Sequence, residues 1–192
     1  MTQTPRKKRG SIFIISGPSG SGKTTLYKKL LGSTDKLVKS VSMTTRPIRR
    51  GEKHGRDYIF VSPKMFLYKK RGGHLLESEK VFGHHYGTPK GAVRELLKSG
   101  KNILLCIDVK GARNIKRQFP YATTIFIKTP SLAELKKRLG KRGSENKTTI
   151  MKRLERARLE LDQAKRYDYV IVNDNVEHAF GELKRVVNQI LK

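Results

Sequence analysis

The chain has 192 residues, 36% of them hydrophobic, which suits one compact domain carrying small mobile inserts better than two independent domains. Its 43 Lys+Arg against 16 Asp+Glu give a formal net charge of +27, which leaves two kinds of partner open. One is a nucleic acid or anionic surface drawn by the field; the other is a set of polyanionic small substrates, with the remaining charge on solvated faces.

Cys106 is the single cysteine, so an intrachain disulfide is excluded and a reducing compartment is expected. No apolar run approaches the ~20 residues that cross a bilayer, so no membrane partner is expected. Met1 to Gly10 is basic and lacks the apolar stretch and small-residue cleavage site of a secretory signal. It reads as a short disordered tail on a cytoplasmic protein.

In chain order, Ser11 to Ser16 is a β-branched apolar run, the pattern of a buried parallel strand. A glycine-rich turn follows, then helical spacing from Thr24 to Leu31, stopped by Gly32. Residues 41–89 differ in character, with scattered Gly, Pro, Thr, Arg and Tyr and only short strands, and read as an inserted, mostly antiparallel subdomain.

From Gly91 the α/β rhythm returns: helix Ala92 to Lys98, strand Asn102 to Ile107, helix Ala112 to Gln118, strand Thr123 to Lys128, helix Ser131 to Leu139. A polar loop, Gly140 to Thr149, precedes a long helix Ile150 to Arg166, a strand Tyr169 to Val172 and a closing helix Val176 to Leu191. Strands alternating with helices predict a parallel sheet covered on both faces. There is no internal repeat and no low-complexity stretch.

Gly17-Pro18-Ser19-Gly20-Ser21-Gly22-Lys23-Thr24 fits the eight-residue phosphate-loop pattern in full. Its glycines let successive N–H groups converge on a phosphate, and the helix that follows adds its positive end. In that pattern Lys23 reaches the β- and γ-phosphates while the Thr24 hydroxyl goes to Mg²⁺. This establishes nucleoside-triphosphate binding and leaves the acceptor open. Forked guanidiniums at Arg46 and Arg49, with the phenol of Tyr58, suit a phosphate monoester, although a basic loop on a basic protein has the same composition.

Several blocks, in order, closely resemble the guanylate kinase family from about Ile12 to Leu191: SGPSGSGKTT, SVSMTTRP, HHYGTPKGAV, IDVKGAR, PSLAELKKRL and YDYVIVND. The resemblance implies a P-loop three-layer α/β fold with a parallel central sheet, an inserted, mostly antiparallel GMP-binding subdomain and a helical lid. Residues 1–40, 93–134 and 155–192 would form the core, 41–92 the GMP-binding subdomain and 135–154 the lid. It implies Mg²⁺-dependent transfer of the γ-phosphoryl group of ATP to GMP.

Carried over block by block, Arg46, Arg49, Tyr58 and Tyr86 hold the GMP phosphate, with Glu52 in the same set. Ser42, Glu77 and Thr88 surround guanine, whose adjacent N1–H and N2–H donors suit a carboxylate. Asp108 serves either the Mg²⁺ waters or GMP, beside Thr24. Thr25 joins the ATP-binding loop. Arg142 and Arg153, with Lys23 and Arg49, neutralise the migrating phosphoryl group; Arg138 contacts ATP. Asn173 and Asp174 match the adenine-contacting segment, where Asn173 either bonds the base edge or caps a turn.

The chain departs from the family pattern at Cys106, where relatives often carry an acid and a small thiol is expected to pack, and at Lys147, where relatives tend to be acidic. His54, His74, His84, His85 and His178 lack ligand spacing and are expected to be structural or solvated. Rival functions are a guanylate-kinase-like binding module, a kinase for another mononucleotide, or a P-loop protein that binds nucleic acid. The last keeps weak non-specific nucleic-acid binding open but offers only 7% aromatic residues for stacking. The sequence leaves oligomeric state open.

Overall fold

Four consecutive residues, Ile12 to Ile15, have no exposed surface and form most of β1 (Ile12–Ser16), the middle strand of a five-stranded parallel sheet. A strand apolar on both sides needs cover on both faces, and the sheet supplies it. The structure is a computed structural model and describes residues 9–140 and 147–192. β1 pairs with β7 (Asn102–Cys106) on one side and β8 (Thr123–Lys128) on the other; β2 (Leu37–Lys39) and β9 (Tyr169–Val172) complete the order β2-β7-β1-β8-β9.

Alternate β1 residues feed two separate cores. Phe13 and Ile15 pack with Leu26 and Leu30 of α1 (Lys23–Gly32) and with Leu183 and Val187 of α7 (Val176–Ile190). Ile12 and Ile14 pack with Val93 and Leu97 of α3 (Lys90–Lys98) and with Ala112 and Ile115 of α4 (Val109–Gln118). The result is helix, sheet, helix, the three-layer arrangement expected of a βα rhythm. A third cluster, Leu135, Leu139 and Ala157, joins α5 (Leu132–Gly140) to α6 (Lys147–Leu161).

The inserted segment builds a second sheet in the order β4-β3-β6-β5, from β3 (Met43–Thr44), β4 (Ile59–Phe60), β5 (Leu75–Val81) and β6 (His84–Pro89). Two of its three pairings are antiparallel and β3/β4 is parallel. It also holds a helix that the sequence reading missed, α2 (Pro63–Arg71). The local signals for it exist: Ser62 is the N-cap, its Oγ accepting from Met65 N at 3.2 Å, and Pro63 occupies the first turn. Only Phe66 of this helix is buried, so its apolar periodicity is too weak to announce it.

Other differences are at element ends. The predicted helix Ile150 to Arg166 stops at Leu161, and a separate 3₁₀ turn spans Ala164–Arg166. α6 begins at Lys147, inside the stretch read as loop. α4 begins three residues earlier than predicted because the side chain of Asp108 caps it, Oδ1 accepting from Lys110 N at 2.8 Å and Gly111 N at 3.0 Å. The short edge strand β2 was not foreseen.

Candidate active site

The phosphate loop leaves β1 and enters α1 through glycines that no other residue can replace. Gly17 has φ 137°, and a Cβ there would stand 2.1 Å from Ile127 O. Gly22, the N-cap of α1, has φ 92°, and a Cβ would stand 2.1 Å from Asn173 Nδ2. No side chain caps α1, so its first N–H groups stay available to an anion. Lys23 Nζ curls back to donate to Gly17 O at 2.6 Å and Pro18 O at 2.7 Å, holding the lysine beside the place a phosphate would take.

A cleft of about 240 Å³ brings Gly17, Ser19, Lys23 and Thr24 of this loop against Ser42, Arg49, Tyr58, Glu77 and Tyr86 of the insert. Asp108 from the end of β7 and Arg153 of α6 close the other walls. A side cavity of about 160 Å³ continues it past Thr24, Ser42, Arg49, Tyr58 and Tyr86 to Arg46 and Glu52.

In that side cavity Arg46 is only 8% exposed: Nη2 donates to both carboxylate oxygens of Glu52, at 2.8 and 3.0 Å, and Nη1 to Pro47 O. Burial alone would raise the Glu52 carboxyl, but the Arg46 hydrogen bonds and the Arg49 N–H outweigh it and hold Glu52 below its usual range. The Arg46 guanidinium lies 5.5 Å from the Tyr58 ring centroid, and the Tyr58 and Tyr86 rings meet edge-on at 6.0 Å. Burial pushes the Tyr58 hydroxyl up to about 12, so it stays a neutral donor at working pH.

Glu77 is the buried carboxylate of the cleft, 7% exposed. Thr88 Oγ1 donates to Glu77 Oε1 at 2.6 Å, and the two residues stand opposite each other in the β5/β6 ladder. Gly111 leaves the space that the carboxylate fills: a Cβ there would meet Oε2 at 2.8 Å. Burial, and the like charge of Asp108 nearby, push the Glu77 carboxyl up to about 7 against the opposing Thr88 hydrogen bond.

On the far side of the loop, Asn173 is 1% exposed and its Nδ2 donates to Ser21 O at 2.8 Å, so it braces the loop from beneath. Arg138 pairs with Glu134 at 2.8 Å and its Nη2 reaches Asp174 O at 3.4 Å. Arg138, Asn173 and Asp174 thus gather behind the loop and do not line the cleft. Gly20 meets Leu135 and Leu139, which seats α5 directly on the loop. Ser21 is buried, while Thr25 is exposed on the first turn of α1. Arg142 lies outside the described residues.

Residues 9–190 match the family model described as guanylate kinase. The chain belongs to the guanylate kinase family. It is similar to a guanylate kinase of Oceanobacillus iheyensis, 42% identical over 181 residues that cover 94% of this chain and 88% of the relative. It is also similar to a guanylate kinase of Synechococcus sp., 43% identical over 95% of this chain and 84% of that one. Among solved structures, guanylate kinase from Anaplasma phagocytophilum superposes with a TM-score of 0.78 at 34% identity, covering 97% of this chain and 88% of that one.

Against this guanylate kinase cleft, sequence reasoning missed Phe82, Arg156 and Glu160, all of which line it. Arg156 Nε donates to Glu160 Oε1 at 2.7 Å, and the i,i+4 spacing on α6 was the available signal. Cys106 also lines the cleft and packs on the α1/α7 core; burial pushes its thiol up. His85 stacks on the Phe66 ring at 5.2 Å, a packing contact. A larger groove of about 560 Å³ runs between α4 and α6 and shares Arg156 and Glu160 with the cleft, but the phosphate loop takes no part in it.

For a metal beside the phosphate loop, the cleft lining includes the Thr24 hydroxyl and the Asp108 carboxylate. Among the described residues no three His, Cys, Asp or Glu gather as a ligand cluster. A sparse set of hard oxygens fits a Mg²⁺ that arrives with a polyphosphate and keeps its waters, which is how that ion is usually held.

Proposed function

We propose that the protein transfers the γ-phosphoryl group of ATP to GMP, giving ADP and GDP. The observation that carries this reading is one cleft in which the phosphate-loop Lys23 and Thr24 face a buried carboxylate, Glu77, across Arg49 and Arg153. Any P-loop enzyme needs the first pair. Only an acceptor with adjacent N–H donors needs the carboxylate.

In this reading the triphosphate lies on the N–H groups of residues 17–24, and Lys23 leaves the Gly17 and Pro18 carbonyls to reach it. Adenine would take the side of Arg138 and Asp174, and Asn173 would act by holding Ser21 rather than by touching the base. GMP would enter between the two sheets. Its guanine edge faces Glu77, with Thr88 and Ser42 toward O6, and its phosphate goes to Arg46, Arg49, Tyr58 and Tyr86. Glu52 then fixes the Arg46 fork rather than binding nucleotide.

The attacking GMP oxygen is already anionic, so no general base is needed, and catalysis is positioning plus charge neutralisation. Mg²⁺, held through Thr24 with Asp108 orienting its waters, would supply a fixed positive charge on the phosphates. Lys23, Arg49, Arg153 and, from the segment outside the described residues, Arg142 supply the remainder. Residues 41–92 and 135–154 would close over the substrates and exclude water. Both proposed lid boundaries fall within helices, α5 and α6, so closure would swing a helix pair. No helix of the described residues is long and apolar enough to cross a membrane, and we assign the enzyme to the cytoplasm. The +27 charge leaves weak, non-specific nucleic-acid binding as a secondary property. The test is an ADP-release assay with GMP, dGMP, AMP, CMP and UMP as acceptors; turnover with GMP and dGMP alone is expected, and equal turnover with AMP refutes the assignment.

A further inference from the structure

The hairpin joining β5 and β6 turns through only two residues, Phe82 and Gly83, because Val81 and His84 are already paired. Both have positive φ, 47° and 85°, and Phe82 is the only non-glycine residue of the described chain in that region. Two-residue turns of this shape favour Asn, Asp or Gly at the first position, where a bulky side chain is strained. The chain nevertheless places a phenylalanine there, 41% exposed, outside every core cluster.

Its ring has partners across the cleft. The Arg153 guanidinium carbon stands 4.6 Å from the ring centroid and that of Arg156 5.5 Å, while Glu160 anchors Arg156 from the next turn of α6. Phe82 lines the same cleft as Lys23 and Thr24, so the contact bridges the insert and α6 at a wall of the cleft that the phosphate loop also lines. A strained conformation held at such a junction is an argument for function, since packing gives no reason for it. The negative ring face attracts both cations, and it does so more strongly as water leaves.

We propose that Phe82 is a positioning residue for phosphoryl transfer: docking of the hairpin tip on Arg153 and Arg156 sets Arg153 over the migrating phosphoryl group when the acceptor-binding insert closes. This rests on the phosphotransfer reading above. The contact is already made in this structure, so Arg153 is oriented beforehand and closure brings the acceptor to a charge-neutralising set already held in place.

The test is steady-state kinetics of Phe82→Ala, Phe82→Leu, Phe82→Asn and Phe82→Tyr with ATP and GMP. Ala, Leu and Asn are expected to lower kcat about tenfold, the size of one desolvated cation–π contact, with KM for either nucleotide moving less than about twofold. Tyr, which keeps the ring face, should stay near wild type. Asn suits the turn better than Phe, so Phe82→Asn should melt no lower than wild type although it is slow; a purely structural residue would lose stability and rate together.

A wild-type kcat in Phe82→Leu, or an equal loss in Phe82→Tyr, overturns the proposal. The docking has its own readout, independent of which nucleotide is the acceptor. In a double-mutant cycle of Phe82→Ala and Arg156→Ala on thermal unfolding, non-additivity is expected, and additive effects refute the contact. Absence of GMP phosphorylation by the wild type refutes the assignment of acceptor and leaves that cycle to decide the docking.

Discussion

Replacing Glu77 by Gln should make the protein more stable and less active at once. The carboxyl is buried and rises from 4.5 to about 7 in the fold. Between those pH values the folded protein holds a proton that the unfolded chain has released. The contribution of this carboxyl to stability is therefore highest below pH ~4.5, falls as pH rises, and is lowest once the pH passes ~7. At about 1.36 kcal/mol per pH unit, the cost of burying the ionised form reaches roughly 3 kcal/mol. Gln stays neutral and keeps an acceptor for the Thr88 hydroxyl, so it escapes this cost. At pH 8 the Glu77→Gln protein should melt higher, by up to roughly 10 °C at 2–4 °C per kcal/mol for a chain of this size, with little difference near pH 5.

Activity should move the other way. With a carboxyl titrating at about 7, the ionised fraction available to guanine rises roughly tenfold between pH 6 and 8. The phosphate of GMP, whose second ionisation lies near 6, adds about twofold in both proteins. Wild-type kcat/KM for GMP should therefore climb steeply over that range, while Glu77→Gln shows only the shallow phosphate component and a narrower GMP-to-AMP ratio. Melting curves and kcat/KM profiles from pH 5 to 8 on both proteins make the check. Parallel melting profiles, or an unchanged GMP-to-AMP ratio, would show that Glu77 is neither the strained carboxylate nor the reader of the base.

Lys23→Met should abolish transfer with an unchanged circular dichroism spectrum, because the Gly17 and Pro18 carbonyls that the lysine bonds can be satisfied by solvent in its place; wild-type turnover would refute the ATP site. Arg153→Ala should lower kcat by roughly 10³–10⁵ with little change in KM for GMP, and a change in KM alone would make it a plain binding residue. ATP and GMP together should compact the molecule by small-angle scattering as the insert and the α5/α6 pair close, and scattering unchanged by both ligands would refute closure.

The central layer was legible because its signals are local. A run such as Ile12 to Ile15 is apolar at every position, and Thr123 to Lys128 and Tyr169 to Val172 appear with the predicted bounds. The phosphate loop was legible because backbone geometry demands its glycines. The insert was harder. Its helix α2 buries one residue, and although the family resemblance singles out Glu77 and Thr88, residue chemistry alone does not show that β5 and β6 set the two opposite each other with the carboxylate buried. Contacts between elements left no trace that composition could expose. Nothing near Asn173 announces that it supports Ser21, and nothing near Phe82 announces Arg153, because each partnership spans about 70 residues or more of chain.

The same distinction between local and assembled features bears on the charge. A net +27 suggests a cleft crowded with cations, yet the cleft walls set Lys23, Arg49, Arg153 and Arg156 against Glu77, Asp108 and Glu160. Its neighbours repeat the pattern, with Arg46 held by Glu52 and Arg138 by Glu134. Arg46, Arg138 and Arg156 each have a carboxylate partner that fixes their direction before any phosphate arrives, the arrangement that makes electrostatic stabilisation effective at the moment of reaction. The excess charge therefore lies mainly outside the cleft, where its range is set by the Debye length and its effect is to raise the encounter rate of anions of every kind. In the proposed reading, selection among those anions falls to the least basic feature of the site, the buried carboxylate of Glu77, which a base with adjacent donors would satisfy.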